Sequence, residues 1–363
     1  MKKNNIFSMN TKRDLSVDIC KGIGIMLMVL GHSGLPKYGH DFIYMFHMPL
    51  FFFLSGYCFK EKYLVNYEGF IKRKLKTLWW PYVKYGLLFL LFHNIFCYLH
   101  IYSVEYGYQG NGILPITLSE AKDTVWSIVT NMSGEDQLLG GFWFLKELLL
   151  GSIVALVTMI LIKRFSSKCS VIYLKSGGAF FLLMFSVLMN KYVLIFPCFG
   201  IRSVTLLSAA IFLAGHLCHE LKWNGNLGWG FFFALIILVG SILMPREILH
   251  LAWYEIVPYF IFGLIGSMMA LIFSRFLAER LPKISDLVSW IGRNTMTILT
   301  WHFLSFKMVT FILIKKNDLS IEHLGEFPVM YNYSQQGWWI AYFAIAMFFT
   351  MIISYIQSVV NRK

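Results

Sequence analysis

Asp18, Lys21, His32 and His47 fall within one mostly apolar stretch, residues 13–60, long enough to cross a bilayer twice. Ionisable groups are costly in hydrocarbon, so each of them is a candidate for chemistry. Lys21 and His32 are 11 residues apart. That is close to three whole turns, so they share a helix face roughly 16 Å apart along the axis. Asp18 precedes Lys21 by one turn and can pair with it at i,i+3. One end of this face carries an ion pair and the other an imidazole. The plainer alternative is a helix anchored by Asp18 and Lys21, with His32 a satisfied polar group in the core.

Depth counting along neighbouring apolar spans adds partners. His47 and Glu147 lie about 9 Å and about 8 Å inside the outer boundary. His32 and His302 lie about 21 Å and about 24 Å along their helices from the inner boundary. In a core about 30 Å thick, all four are in the outer half. Groups at one level suggest a shared polar cavity, because intramembrane charges face a bundle interior. A carboxylate beside an imidazole can orient and tune a general base. Three histidines and a glutamate could instead hold a metal, but nothing in the spacing favours that, and no metal is expected.

The elements that must position these groups are membrane helices. The chain has 363 residues, of which 57% are hydrophobic and 14% charged, with a mean hydropathy of +0.62. Apolar runs occur at 15–34, 41–59, 78–99, 142–162, 171–189, 203–218, 227–244, 256–274, 287–312 and 338–360. Runs near 20 residues are the mark of transmembrane helices. The expected fold is an all-α, polytopic integral membrane helix bundle of about ten helices. Residues 1–363 are expected to form a single transmembrane domain with a short tail at 1–14 and no soluble domain. Basic residues gather in alternate connections: Lys2 to Arg13, Lys60 to Lys76, Lys163 to Lys175, Arg275 to Lys283, and Arg362 with Lys363. This bias puts both termini in the cytoplasm.

The net charge of +13 therefore reports topology rather than nucleic-acid binding. The six cysteines show neither CxxC nor metal-ligand spacing. The apolar run after the basic N-terminus lacks a small-residue cleavage site, which argues for an uncleaved first helix. Two long outer connections, about 100–141 and 313–337, hold tyrosines and acids, including Glu135 and Glu322. Loops of that length are often functional, and a solvated cap is the alternative.

The segment FIKRKLKTLWWPY packs Lys72, Arg73, Lys74 and Lys76 together. It serves either as a headgroup-binding, topogenic cluster or as a site for a phosphate-bearing cytosolic ligand. With the other motifs it carries a family resemblance. RDLSVDICKGIGIMLMVLGH resembles the first-helix signature of the membrane-bound acyltransferase 3 family, with Lys21 and His32 as its basic residue and histidine. FHMPLFFFLSGY is similar to the family's second-helix motif, the basic run to its cytoplasmic motif, GGFWFLKELL to its Trp143–Leu145 motif, and IGRNTMTILTWHF to its late helix, with Asn294 and His302. Within the family the likeness is to the O-acetyltransferase, fucose 4-O-acetylase-like group.

The resemblance implies an enzyme that moves an acyl group, commonly acetyl, from cytosolic acyl-coenzyme A. The donor would be acetyl-CoA and the acceptor a hydroxyl of a sugar, glycan or lipid-linked glycan. His32 would be the essential histidine, with Glu147, His302, Asp18 and Lys21 completing the catalytic candidates. Arg73, Lys76 and Lys72 would hold the donor, and His47, Trp143 and Asn294 would line the acceptor side. Lys21 and Lys76 stand where the family commonly has arginine, and lysine lacks the planar fork that grips phosphate. The expected location is a cell membrane, multi-pass, of the bacterial cytoplasmic kind. The alternative is a transporter or exporter of a polysaccharide or lipid-linked sugar, told apart by dependence on coenzyme A.

Overall fold

The computed structural model describes residues 14–134, 136–165, 171–196 and 199–360. The basic N-terminal tail through Arg13, Glu135, Lys168, Cys169, Cys198, Arg362 and Lys363 lie outside them. The chain is all-α. Among the described residues, seven helices are long and apolar enough to cross a membrane. These are Leu15–His32, Trp143–Arg164, Val171–Lys191, Ser203–Glu220, Trp253–Arg280, Thr295–Lys316 and Tyr331–Val360. Leu227–Leu243 is a shorter apolar helix.

In chain order the helices are α1 (Leu15–His32), α2 (Lys37–Tyr44), α3 (His47–Tyr57), α4 (Tyr67–Lys74), α5 (Trp80–Tyr98), α6 (Leu118–Asn131) and α7 (Trp143–Phe165). They continue with α8 (Val171–Lys191), α9 (Ser203–Glu220), α10 (Leu227–Leu243), α11 (Ile256–Arg280), α12 (Pro282–Arg293) and α13 (Thr295–Lys316). A single turn, α14 (Tyr331–Tyr333), precedes α15 (Trp339–Val360). Asp14 starts α1 by accepting the Ser16 amide at 2.9 Å, which satisfies one orphan donor of the first turn.

Three expected spans are not straight helices. The span at 41–59 breaks at Met45 and Phe46, where Phe46 has φ −146° and ψ −16°. Pro49 explains it, because its ring has no N–H and clashes with the carbonyl four residues back, that of Met45. The span at 78–99 is preceded by α4, which passes through a π-helical stretch, Leu75–Trp79, into α5. Pro81 cannot donate to the Thr77 carbonyl, which favours the wider turn. The span at 287–312 divides at Asn294 into α12 and α13. There the Asn294 side chain donates to the Trp290 carbonyl at 2.8 Å and competes with the backbone ladder.

The connection at 100–141 is structured, with α6 opening on a reciprocal cap between Thr117 and Glu120. Tyr102 donates to Asp136, and Ser103 donates to Glu322 at 2.8 Å, which ties this connection to the one at 313–337. Lys175, counted above among loop residues, lies inside α8 and is 2% exposed. Its ammonium donates to Glu61 at 3.2 Å and to Glu220 at 2.5 Å, and sits 3.2 Å from His216 Nε2. Glu61, His216 and Glu220 have a spacing that suits a metal, and this lysine fills it with its own cation.

Around the centre, α1 crosses α12 backbone to backbone. A Cβ at Gly292 would lie 1.8 Å from the Asp18 carbonyl oxygen, and one at Gly22 would lie 2.1 Å from that of Val288. Small residues permit such approach where lipid supplies no hydrophobic drive between helices. Gly292→Ala is therefore expected to destabilise the protein by about 1–3 kcal/mol or more, read as a lower thermal midpoint in detergent. Gly177→Ala, where a Cβ meets nothing within 4 Å, is the control. Equal melting of the two variants would refute the close crossing.

Candidate active site

A cavity of about 500 Å³ runs between α1, α3, α4, α7 and the α12–α13 junction, a volume in the range of ligand sites. Lys21, Arg73, Lys74 and Arg293 line it at one end. His32, Tyr44 and His47 line it further along, and the 247–249 loop lines the other end. The ends are opposite because α9 runs from Arg202 to Glu220, beside Glu61, and α10 runs back.

His32 ends α1, and its Nδ1 lies 3.1 Å from His302 Nε2 on α13. His302 Nδ1 lies 2.9 Å from the Leu299 carbonyl and 3.2 Å from that of Ile298. A carbonyl only accepts, so His302 Nδ1 carries the proton and its Nε2 accepts. His32 must then donate from Nδ1, which leaves its Nε2 lone pair without a partner among the described residues. An imidazole oriented in this way is prepared to take a proton from a ligand. The rings are also stacked. Phe303 lies 4.0 Å from His302 and 4.9 Å from His32, centroid to centroid, and Phe327 covers Phe303 at 4.6 Å.

His47 stands at the first turn of α3, beside the break that Pro49 imposes. Its Nδ1 donates to the Ile43 carbonyl at 2.9 Å, and its ring lies 4.8 Å from that of Tyr44. Irregular backbone at membrane depth is tolerated where it borders protein or a cavity, as here. Trp143 lines the same space at the start of α7.

Several expected site residues stand elsewhere. Glu147 is fully buried and faces α9, where it accepts from Arg202 Nε at 2.8 Å and from the Thr205 hydroxyl at 2.6 Å. Its depth matched that of the histidines, but its azimuth on α7 did not. Asp18 lies under the α12 crossing, 3.9 Å from Lys21, and only Lys21 of that pair lines the cavity. Asn294 breaks the helix and does not line the cavity. Of the three histidines and one glutamate weighed above as an alternative metal set, Glu147 is turned to Arg202 and His302 Nε2 to His32.

The basic end also differs in its members. Arg73 lines the cavity and donates to the Tyr63 hydroxyl at 2.9 Å. Lys72 points away to Glu68, 3.8 Å off, and Lys76 is exposed outside the lining. Lys74 takes their place, donating to the Ser55 hydroxyl at 2.7 Å and lying over the Phe70 ring. It precedes the membrane crossing. Burial, and secondarily the charge of Arg73, push its ammonium down to about 7. The resemblance pointed to Lys72 and Lys76, whereas Lys74 is the one lysine of this run that lines the cavity. Arg293 was missed as well, although it sits beside Asn294 in the late-helix motif.

Comparison with known proteins agrees with this architecture. A family model described as an acyltransferase domain, of the acyltransferase 3 type, matches residues 14–359. No curated protein and no solved structure matches. The match takes in every residue that lines the cavity. The chain is a multi-pass membrane protein, and it belongs to the acyltransferase 3 family of acyltransferases.

Proposed function

We propose that this enzyme transfers an acetyl group from acetyl-coenzyme A to a hydroxyl of a sugar, glycan or lipid-linked glycan. The observation that carries the reading is one cavity that joins four cations to an oriented histidine pair. Arg73, Lys74, Lys21 and Arg293 form the donor mouth, where they neutralise phosphates through charge-assisted hydrogen bonds. The basic bias of the connections makes this the cytoplasmic side, with both termini inside. From Lys21 to His32 is roughly 16 Å along α1, so the thioester must ride on a long arm to reach the imidazole.

His32 Nε2 then removes the acceptor hydroxyl proton as the oxygen attacks the thioester carbonyl. The C–S bond breaks, and the proton held on His32 passes to the leaving thiolate. Atoms and charge balance with no covalent acyl-enzyme. His302 acts as a positioning residue. By accepting from Nδ1 it selects the His32 tautomer and shares the positive charge that forms on the ring. His47, at the same cavity wall, holds a second oriented imidazole toward the acceptor side.

Purified protein with labelled acetyl-coenzyme A tests the roles. His32→Ala is expected to lower transfer by about 100- to 10,000-fold, and a folded variant with normal transfer would refute the assignment. His302→Phe keeps the ring stack but cannot accept from His32. Its expected loss is about 10- to 1,000-fold in kcat, with little change in donor KM.

Lys74 makes the donor mouth sensitive to pH. With its ammonium at about 7 in the free protein, charge is lost as pH rises through neutrality. Donor KM should climb between pH 6.5 and 8.5 in the native enzyme, and Lys74→Arg should flatten that climb because guanidinium stays charged. Parallel profiles would exclude Lys74 from the donor site. Glu147→Gln should lower the thermal midpoint, since it weakens a buried ion pair by about 1–3 kcal/mol, while kcat per folded molecule stays within about threefold. A loss of kcat comparable to that of His32→Ala would return Glu147 to the chemistry.

A further inference from the structure

The cavity is electrically divided. Its cationic side chains, Lys21, Arg73, Lys74 and Arg293, all line the donor end. Glu247 is the one carboxylate among its described lining residues, and it stands at the opposite end, on the loop between α10 and α11. The other acids near the bundle centre are turned away, Glu147 to Arg202 and Asp18 under α12. Glu247 is also held in position. Its neighbour Arg246 pairs with Glu255 at 2.7 Å, both largely buried. Glu255 in turn accepts the Ala252 amide at 2.9 Å, and Ile248 packs into the core at 3% exposure. The Glu247 side chain is 40% exposed, and its Oε2 meets His250 Nδ1 at 3.3 Å. Its Oε1 has no partner among the described residues.

We infer that Glu247 recognises the acyl acceptor, and that it selects neutral or amine-bearing sugars over acidic ones. The inference rests on the acyl-transfer reading above. A carboxylate accepts hydrogen bonds from hydroxyls and pairs with an ammonium. At a cavity mouth it repels a uronate or a phosphate, and specificity comes from that repulsion as well as from attraction. Tyr44 and Trp143, lining the same half, offer aromatic faces to a sugar ring. The same charge keeps the phosphates of the donor from entering by the wrong end.

The test uses the full-length protein in detergent with acetyl-coenzyme A and three acceptors, octyl glucoside, octyl glucosaminide and octyl glucuronide. Thiol release and acetylated product are followed separately. The expected order is glucoside and glucosaminide at least about tenfold above glucuronide in kcat/KM. Glu247→Gln should raise KM for the favoured acceptors by about tenfold or more, with the thermal midpoint unchanged. Glu247→Arg should bring the glucuronide above the glucoside. Preference of the native enzyme for the glucuronide, acetylation of none of the three while thioester is still hydrolysed, or unaltered acceptor KM in Glu247→Gln would each overturn the inference. No thioester turnover under any condition would instead defeat the acyl-transfer reading on which it rests.

Discussion

A backbone amide or carbonyl inside a bilayer must find its partner within the protein, because hydrocarbon offers none. That constraint governs where this bundle can depart from straight helices. The departures beside the site are the break at Met45 and Phe46, the π-helical stretch Leu75–Trp79 and the division at Asn294. Each borders the cavity, where neighbouring helices cover the disturbed backbone. Each also places something the site needs: His47 at the start of α3, Lys74 turned inward, and α13 re-aimed so that His302 reaches His32. Local irregularity and chemistry are thus one feature of the fold.

Ionisable groups in the spans divide by whether their partners saturate them. Glu147 is consumed by Arg202 and Thr205. Lys175 is consumed by Glu61, Glu220 and His216. Lys307, buried on α13, donates to the Leu324 and Glu326 carbonyls at 2.8 Å and 2.7 Å and holds the 321–326 turn above the site. These groups fasten helices and loops together, and their pairing offsets the cost of burial. His32 differs in keeping one ring nitrogen open toward the cavity. A group that is buried, oriented and incompletely partnered is the one with capacity left for a substrate.

Much of this was legible in the chain. Hydropathy alone fixes an all-α membrane bundle, since runs near 20 residues have few other uses. The shared face of Lys21 and His32 follows from helical periodicity, and the structure keeps both in the cavity. Depth counting brought His32 and His302 together, 3.1 Å apart, and set His47 on the same cavity as His32, although His302 does not itself line that cavity. It also admitted Glu147, because depth is a coordinate along the helix axis and says nothing of azimuth when a span is apolar all round. Lys307 escaped notice for the related reason that one charge in a hydrophobic run looks like noise until its acceptors are known.

The sequence by itself determined the solvent, the helical class, the family and the histidine on the first helix, all of which depend on composition, period and motif. Only the tertiary structure decided which nitrogen of His32 is open, which lysine of the basic run lines the cavity, and which carboxylate faces it. Those answers hang on the rotation of one helix against another. Rotation is set by glycine contacts such as Gly22 with α12 and by breaks such as that before Pro49, and it emerges only once the helices are packed together.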